Sequence, residues 1–596
     1  MNESLPTNQK PEINQQPSTI RNPITIEIGL YAAIVVLGLV VRLYRLGLAP
    51  LSTAEAALAL AALRGTLPPV GTSPLLYSAN SILFALLSAG DGLARLIPAL
   101  AGAALVALPA FWRERIGRTG ALGAALLLAI SPVAIMTSRT VSGEVIVAGV
   151  LMGVAVITDR YLRTGRTAWL YAGAAMLGLG LAGGRTIYSA LLMLLASAGA
   201  MAFVGGTDTV RDKWQAVRAT RGLTRWLLGT LAAVFVISAT ALMWRPGGLS
   251  AAIDLLSAWL ADFRSGVTGW PWAFQLLAIY EPLAVVVGLA GLFFALQRND
   301  RFILLPIAWL IVAILLVVLR PGRTTGDVLL VMIPLALLGG YTFQVLQDSL
   351  RTTRFSREEG VLVLVLLPVI AYFVLGLAAY AQNPNSTPLV LGALQIAGGA
   401  HITQIFLALV LVVILVTLFT GLIGGEAAMR GATSAVLLTL ALATWAAGWN
   451  AAQNRPGDPR EIIIGPEATS PAVRDLARDL AVLSAQKTTD PHMLDFVALG
   501  GSRSDAVLKW YLRDMPHVRF VATLDAESAP QALVTTEPTP PALLEGSSYA
   551  GQRFTLQQAW STEGKSTNDI LKWLVYRNAE APKPTQQAIL WVKQGQ

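Results

Sequence analysis

The chain has 596 residues, of which 54% are hydrophobic and only 13% charged, whereas a soluble protein carries about 25% charged residues. This composition excludes an ordinary soluble enzyme for most of the chain. The absence of cysteine excludes disulfides and a thiol nucleophile, and the 3 histidines lie too far apart in sequence to favour a histidine metal site. The net charge of +9 is better explained by membrane topology than by nucleic-acid binding.

Residues 1–23 are polar and predict a disordered cytoplasmic tail. The apolar run from Ile24 to Leu46 predicts an uncleaved first membrane helix, because no small-residue cleavage site follows it. Similar runs recur as far as Trp449, and each is long enough to be a candidate span. The apolar segments are 24–46, 74–89, 93–111, 119–137, 141–159, 167–183, 186–204, 226–243, 275–296, 302–319, 327–346, 360–380, 402–424 and 432–450.

From residue 113 on, basic clusters fall on every second connection, which predicts the topology. The clusters lie at 113–118, 160–166, 211–225, 298–301 and 351–357, with a weaker case at Arg430. The positive-inside rule places them in the cytoplasm. The connections predicted to face outward are 138–144, 184–186, 244–275, 320–326, 381–401 and everything after 450.

An N-terminus inside the cell places residues 47–72 outside, whereas the basic cluster at 113–118 is inside. Only one crossing fits between them, so either segment 74–89 or segment 93–111 cannot cross completely. Asp91 and Arg95, among glycines and Pro98, favour a broken connection there. The prediction is an α-helical polytopic protein of the plasma membrane with about 13 net crossings. Its N-terminus is cytoplasmic and its C-terminal domain extracytoplasmic.

The longest outward connection, 244–275, is rich in tryptophan. Aromatic residues at this density are typical of a helix that lies in the lipid headgroup layer. A loop packed on the helical bundle explains them equally well.

The composition changes after Trp449. Residues 451–460 read as a linker, and residues 461–596 as a soluble α/β domain. Short strand-like runs, of which Glu461–Ile464 is the first, alternate with helical ones and predict a mostly parallel sheet covered by helices.

Ionisable groups at membrane depth are expensive, so those on the outward side are candidates for function. They include Glu55, Arg139, Glu144, Arg185, Arg320 and Arg323. Arginine binds phosphate through a planar fork of donors, and a carboxylate can deprotonate a hydroxyl acceptor. Together they suit a lipid-phosphate-linked substrate. The alternative at each position is an interface anchor or a helix cap. A divalent metal stays open as a cofactor, although no spacing demands one.

Three stretches carry a family resemblance in their order: Arg42–Ala59, Gly71–Leu86 and Ala94–Ala148. Over roughly residues 30–200 the chain resembles the GT-C superfamily of membrane glycosyltransferases, which includes protein mannosyltransferases and bacterial lipid-linked-sugar transferases. Val507–Phe520 is similar to a sequence segment found in a GT-C-like branch associated with lipid-linked oligosaccharide export.

The resemblance implies a site. The first outer loop of the family carries an Asp-Glu pair whose Asp is essential, and here that pair reads Ala54-Glu55. The second motif, an Arg followed by an Asp, reads Arg139 through Glu144. The resemblance thus implies Glu55 and Glu144 as catalytic residues. It implies that the phosphate is bound by arginines, namely Arg139, Arg185, Arg320 and Arg323.

Three functions follow from this interpretation. The first is transfer of a sugar from a polyprenyl-phosphate donor to a lipid or protein acceptor at the outer leaflet. The second is a catalytically impaired GT-C scaffold that binds lipid-linked glycans or assists their export or assembly, which Ala54 supports. The third, a transporter or assembly subunit, is disfavoured by the outer domain and the lack of an obvious internal repeat. Membrane lipids are expected partners and nucleic acid is not.

Overall fold

A computed structural model of the protein describes most of the chain. The described residues are 26–205, 215, 222–266, 268–298, 303–352, 356–384, 386, 388–391, 394–465, 467–500, 505–524, 530–536, 549–577 and 580–594. The predicted tail, residues 1–23, lies outside them.

Helices build the part of the chain before residue 450, as the alanine- and leucine-rich runs predict. The first group is α1 (Ile26–Leu43), α2 (Thr53–Arg64), α3 (Pro74–Leu86), α4 (Asp91–Ala94), α5 (Leu96–Ala107), α6 (Arg113–Ile116), α7 (Arg118–Ile130), α8 (Pro132–Ser138), α9 (Glu144–Thr164), α10 (Ala168–Leu181) and α11 (Ile187–Gly205). A short 3₁₀ turn, Leu108–Trp112, joins α5 to α6.

The second group of helices is interrupted in sequence by a small hairpin of β1 (Leu389–Leu391) and β2 (Leu394–Ile396). It consists of α12 (Leu223–Thr240), α13 (Gly247–Ala261), α14 (Pro271–Tyr280), α15 (Pro282–Arg298), α16 (Leu304–Leu319), α17 (Thr325–Thr352), α18 (Arg357–Gln382), α19 (Gly399–Ile423) and α20 (Gly425–Trp449).

Among the described residues, 8 helices are long and apolar enough to cross a membrane, and 10 spans result if each of 2 sharply bent helix pairs is one span. The bent pairs are α7 with α8, at 58°, and α14 with α15, at 100°. Helix α3 has only 13 residues, about 20 Å, and is too short for a hydrocarbon core of about 30 Å. The continuous stretch Leu96–Ile116 does qualify. The figure of about 13 crossings stays a prediction.

Helix α17 lies at the centre of the bundle, with 83% of its most apolar window buried. In α19 the buried share is 6%, and α18, α19 and α20 share a separate apolar cluster. The two bent pairs meet at Glu281, which accepts hydrogen bonds from the Ser131 hydroxyl at 2.5 Å and the Val133 N–H at 2.9 Å. A carboxylate at this helix N-terminus satisfies donors that the bend in the span leaves free.

The C-terminal domain is α/β, as predicted, and its sheet has the strand order β3-β7-β8-β6-β4-β5. Its elements are β3 (Glu467–Thr469), α21 (Ala472–Thr488), β4 (Phe496–Leu499), α22 (Asp505–Tyr511), β5 (Val518–Val521), β6 (Ala532–Thr535), β7 (Tyr549–Ala559), α23 (Thr567–Tyr576) and β8 (Lys583–Lys593).

The expectation of a mostly parallel sheet was wrong. Only β4 pairs in parallel, with β5 and β6, and the other three pairings are antiparallel. Strand–helix alternation did not determine direction here, because β7 and β8 pair antiparallel although α23 lies between them in sequence. The expected strand Glu461–Ile464 is a series of turns, and the first strand begins at Glu467.

The C-terminal domain docks on the membrane domain through Asp91. Its carboxylate accepts hydrogen bonds from the Trp510 indole at 2.7 Å and the Tyr511 hydroxyl at 2.8 Å, and it pairs with Arg474 at 2.5 Å. Burial, and then the neighbouring Asp91 charge, raise the pKa of Tyr511, so its hydroxyl stays a donor. The same hydroxyl accepts the Leu51 N–H at 2.9 Å. Part of the stretch Val507–Phe520 that carried a family resemblance is therefore a docking element.

Candidate functional site

A cavity lies where the membrane domain meets the C-terminal domain, with about 970 Å³ of space including its open mouth. One wall is the connection after α1, and a second is the connection between α8 and α9. Thr324 and Thr325, at the start of α17, form a third. The linker and the segment from Ile463 to Thr469 cover it. Of the predicted site residues, the structure brings Glu55, Arg139 and Glu144 to this cavity.

Glu55 is held by four hydrogen bonds. The Arg95 guanidinium donates to both carboxylate oxygens, at 2.9 and 2.8 Å. The Ser52 N–H at 2.8 Å completes a capping box at the start of α2, and the Val141 N–H at 2.8 Å ties Glu55 to the second wall. Ala54, at the position of the family's Asp, is exposed.

Burial by itself would raise the pKa of Glu55. The Arg95 guanidinium and the two backbone donors outweigh burial and hold the pKa below its ordinary value of 4.5. Glu55 is therefore ionised at neutral pH and its lone pairs are occupied. A general base needs a free lone pair and a pKa near the working pH, so this geometry favours a positioning role.

Arg139 closes the C-terminal end of α1. Its guanidinium donates to the carbonyls of Val41, Arg42, Tyr44 and Arg45 at distances between 2.9 and 3.1 Å. These carbonyls have no partner within the helix, so Arg139 satisfies them as a cap. Most of its donors are thus occupied by protein, although it lines the cavity.

Glu144 begins α9 and is in a different state. The Thr324 hydroxyl donates to it at 2.6 Å, and the Ser142 hydroxyl lies at the limit of a hydrogen bond, 3.5 Å away. Among the described residues, no cation pairs with it directly. Gly326 makes room for the carboxylate, because a Cβ there would lie 2.2 Å from its Cδ. Glu144 thus keeps lone pairs to spare, whereas those of Glu55 are occupied; Glu467, on the covering segment, also lines the cavity but is exposed.

Arg185 and Arg320 belong to an ionic network beside the cavity. Buried Arg320 pairs with Asp262 and Asp327, both at 2.5 Å. Arg185, whose side chain is 30% exposed, pairs with the other Asp262 oxygen at 3.0 Å. Asp327 accepts the Thr324 N–H at 2.9 Å, so the network reaches Glu144 through Thr324.

Arg323 does not reach the cavity. It donates to the carbonyls of Val317, Val318 and Thr268, and so caps the end of α16. The alternative that some of the outward arginines are helix caps describes Arg139 and Arg323 well.

Sequence reasoning missed Thr324 and the partnerships of Arg95 and Asp327. Arg95 was read only as part of a broken connection, and no local spacing relates it to Glu55, 40 residues earlier. One signal was available for Thr324 and Asp327: a Thr three residues before an Asp at a helix start is a capping pattern.

The described residues contain no group of three His, Cys, Asp or Glu side chains placed to bind a metal. Glu144 and Asp327 both accept from the Thr324 hydroxyl, but Asp327 is already neutralised by Arg320. This donor set does not fit a divalent cation, which requires several oxygen ligands with net negative charge.

No protein-family model and no curated protein sequence matches the chain. Its structure is similar to the crystal structure of ArnT from Cupriavidus metallidurans in the apo state. The TM-score is 0.53 and the identity 17%, over 89% of this chain and 98% of ArnT. For ArnT bound to undecaprenyl phosphate the TM-score is 0.51 and the identity 17%, over 85% and 93% of the two chains.

ArnT is a GT-C glycosyltransferase. The chain is accordingly a multi-pass membrane protein with the GT-C fold and a C-terminal sheet domain, and the resemblance predicted from sequence is confirmed for the fold.

Proposed function

We propose that the protein transfers a sugar from a polyprenyl-phosphate donor to a lipid or protein acceptor at the outer leaflet of the plasma membrane. The observation that carries this proposal is the state of Glu144: a carboxylate with free lone pairs in a cavity between the membrane domain and the C-terminal domain. The GT-C fold supports it, since the similar ArnT structure is bound to undecaprenyl phosphate.

In the proposed reaction, an acceptor hydroxyl or amine attacks the anomeric carbon of the donor sugar. The new bond to that carbon forms as the bond to the phosphate oxygen breaks, and polyprenyl phosphate leaves with the electron pair. The acceptor proton passes to Glu144, which acts as the general base. Of the arginines predicted from the sequence, Arg185 is partly exposed and pairs with Asp262, while Arg320 fixes the same acid from the buried side.

Glu55 is a positioning residue in this proposal. It joins the first wall to Arg95 and, through Val141, to the loop that carries Glu144. The proposed orientation places the N-terminus in the cytoplasm and the C-terminal domain outside the cell, with about 13 crossings.

A second function, a GT-C scaffold that binds lipid-linked glycans without transferring sugar, has one observation in its favour. The position of the family's essential Asp is Ala54, and neighbouring Glu55 is fully engaged and cannot replace it as a free carboxylate. The two functions differ in whether donor is consumed.

The test is release of polyprenyl phosphate by the purified full chain in lipid nanodiscs, supplied with polyprenyl-phosphate sugars and a crude acceptor lipid fraction. We expect release, and Glu144→Gln should reduce it by about 10²- to 10⁴-fold, the usual contribution of a general base. Asp254→Asn, in α13, is the matched control and should release polyprenyl phosphate at the wild-type rate.

One outcome would overturn the transferase, and another would overturn only the role of Glu144. Donor that binds but is never consumed would favour the scaffold. Release that is unchanged in Glu144→Gln would remove Glu144 from the reaction.

A further inference from the structure

Three aromatic rings form a stack at one edge of the cavity, where α1 and α20 end. The Tyr44 and Trp449 rings are stacked with centroids 6.2 Å apart and planes 14° apart. Trp449 and Trp445 follow at 5.8 Å and 29°. Tyr44 is 49% exposed and both tryptophans are half-buried, so the stack presents apolar ring surface to its surroundings. Aromatic residues at the ends of spans are typical of the membrane interface.

The stack is continuous with the cavity wall. Leu46 and Ala452 line the cavity, and Ala452 forms a small apolar cluster with Val41 on which Trp445 packs. The Gln453 amide donates to the Tyr44 carbonyl at 3.1 Å and so holds the two helix ends together. An apolar ligand lying along the rings would therefore lead from the membrane edge into the cavity.

Arg45, next to Tyr44, is the unusual residue of this edge. Its φ is 50°, a left-handed conformation that is strained for a residue with a Cβ. Arg139 holds it there by donating to its carbonyl at 3.0 Å. Its exposed guanidinium has no hydrogen-bond or ion-pair partner in the described part of the chain. Strain of this kind persists where surrounding contacts impose it, and it concentrates at functional sites.

We infer that Arg45 and the aromatic stack form the lateral binding site for a polyprenyl phosphate, with the phosphate on Arg45 and the isoprenoid chain along Tyr44, Trp449 and Trp445. A guanidinium with no partner among the described residues, one residue away from an exposed aromatic stack, matches a phosphate attached to a long apolar chain. The identity of the lipid rests on the proposed function, whereas the site rests on the residues named here.

The test measures binding of undecaprenyl phosphate, without sugar, to the full chain by native mass spectrometry. Arg45→Gly is the informative variant, because glycine adopts a positive φ without strain and so removes the guanidinium while keeping the backbone. We expect binding to weaken about tenfold in Arg45→Gly and in Trp449→Ala, with Arg45→Lys between Arg45→Gly and wild type. Thermal unfolding of Arg45→Gly should not shift to lower temperature.

The matched controls are Arg264→Ala, another exposed arginine, and Trp226→Ala, an exposed tryptophan on α12. Both should bind as wild type does. Unchanged binding in Arg45→Gly would overturn the inference. An equal loss for phosphatidylglycerol would overturn the assignment to polyprenyl phosphate in favour of a general phospholipid contact.

Failure here and failure of the proposed function are distinguishable. A chain that binds undecaprenyl phosphate through Arg45 but never releases it from a sugar donor keeps this site and loses the transferase. A chain that transfers sugar while Arg45→Gly binds normally keeps the transferase and loses this site.

Discussion

The two walls of the cavity each contribute one glutamate, and the two glutamates are in opposite states. Glu55 is buried, ionised and engaged by Arg95, Ser52 and Val141. Glu144 meets two hydroxyls and among the described residues has no direct cationic partner. The chemistry of a carboxylate is thus set by its hydrogen-bond partners, and a position beside the cavity does not by itself make it a general base. In the proposed reaction, the wall that carries Glu55 suits positioning and the wall that carries Glu144 suits proton transfer.

The wall of Glu55 is also the better anchored of the two. The Tyr511 hydroxyl accepts its Leu51 N–H, and Arg474 donates to the Gly47 and Leu48 carbonyls from the C-terminal domain. The wall of Glu144 depends on Thr324 and on the space at Gly326. The comparison therefore predicts that changes at the first wall cost stability and changes at the second cost activity.

The largest effect is expected from Glu55→Ala, which leaves Arg95 buried without its anion. The loss should be roughly 3–5 kcal/mol of unfolding free energy, the usual cost of breaking a buried pair. Thermal or denaturant unfolding of the detergent-solubilised chain measures it, with exposed Glu563→Ala as control. A stable Glu55→Ala chain that is inactive would reverse the roles of the two glutamates.

The next effect tests the second wall through Gly326→Ala. The added Cβ must displace the Glu144 carboxylate, because it would lie 2.2 Å from its Cδ. Sugar transfer should fall about a hundredfold, since misplacement of a reacting group by about 1 Å has that consequence. Unfolding should change by less than about 1 kcal/mol. Gly229→Ala, with no atom within 4 Å of its new Cβ, is the matched control and should change neither sugar transfer nor unfolding.

A smaller effect is expected from Asp91→Asn, which removes the anion that pairs with Arg474 while keeping the shape of the side chain. Docking of the C-terminal domain should weaken by about 1–3 kcal/mol, the range for a hydrogen bond to a charged group. Hydrogen exchange of α22 reports it, and Asp514→Asn, an exposed neighbour, is the control. Unchanged protection of α22 would show that the first wall does not depend on this contact.

The smallest effect concerns pH. The folded-state pKa of Glu55 lies below its ordinary value of 4.5, so the Glu55–Arg95 contribution is fully present above that value and is lost as pH falls through the folded pKa. The difference in unfolding temperature between wild type and Glu55→Gln should be constant from about pH 8 to pH 5.5 and shrink below about pH 4.5. A difference that instead grows on acidification would mean that Glu55 is protonated in the folded chain.

The sequence predicted the helical membrane domain and the α/β character of the C-terminal domain, because hydrophobic runs and alternating short elements are local signals. The linker predicted at 451–460 is helical up to Asn454. The hydrophobic runs did not reveal the two bends at Ser131 and Glu281, because hydrophobicity is averaged over a whole run. The proline that follows each bend, Pro132 or Pro282, was the available signal. Strand direction in the C-terminal domain was not predictable either, because antiparallel pairing of β7 with β8 depends on contacts across the sheet.

For the site, the sequence selected six residues, and the fold brings Glu55, Glu144 and Arg139 to one cavity; Arg185, Arg320 and Arg323 do not line it. Only the tertiary structure decided what each can do. The partner of Glu55 is Arg95, 40 residues away, and the partner of Glu144 is Thr324, 180 residues away. The residue type determines which charge and which proton a side chain can carry. Hydrogen-bond partners and burial, which only the folded chain supplies, determine whether its lone pairs are free to accept a proton.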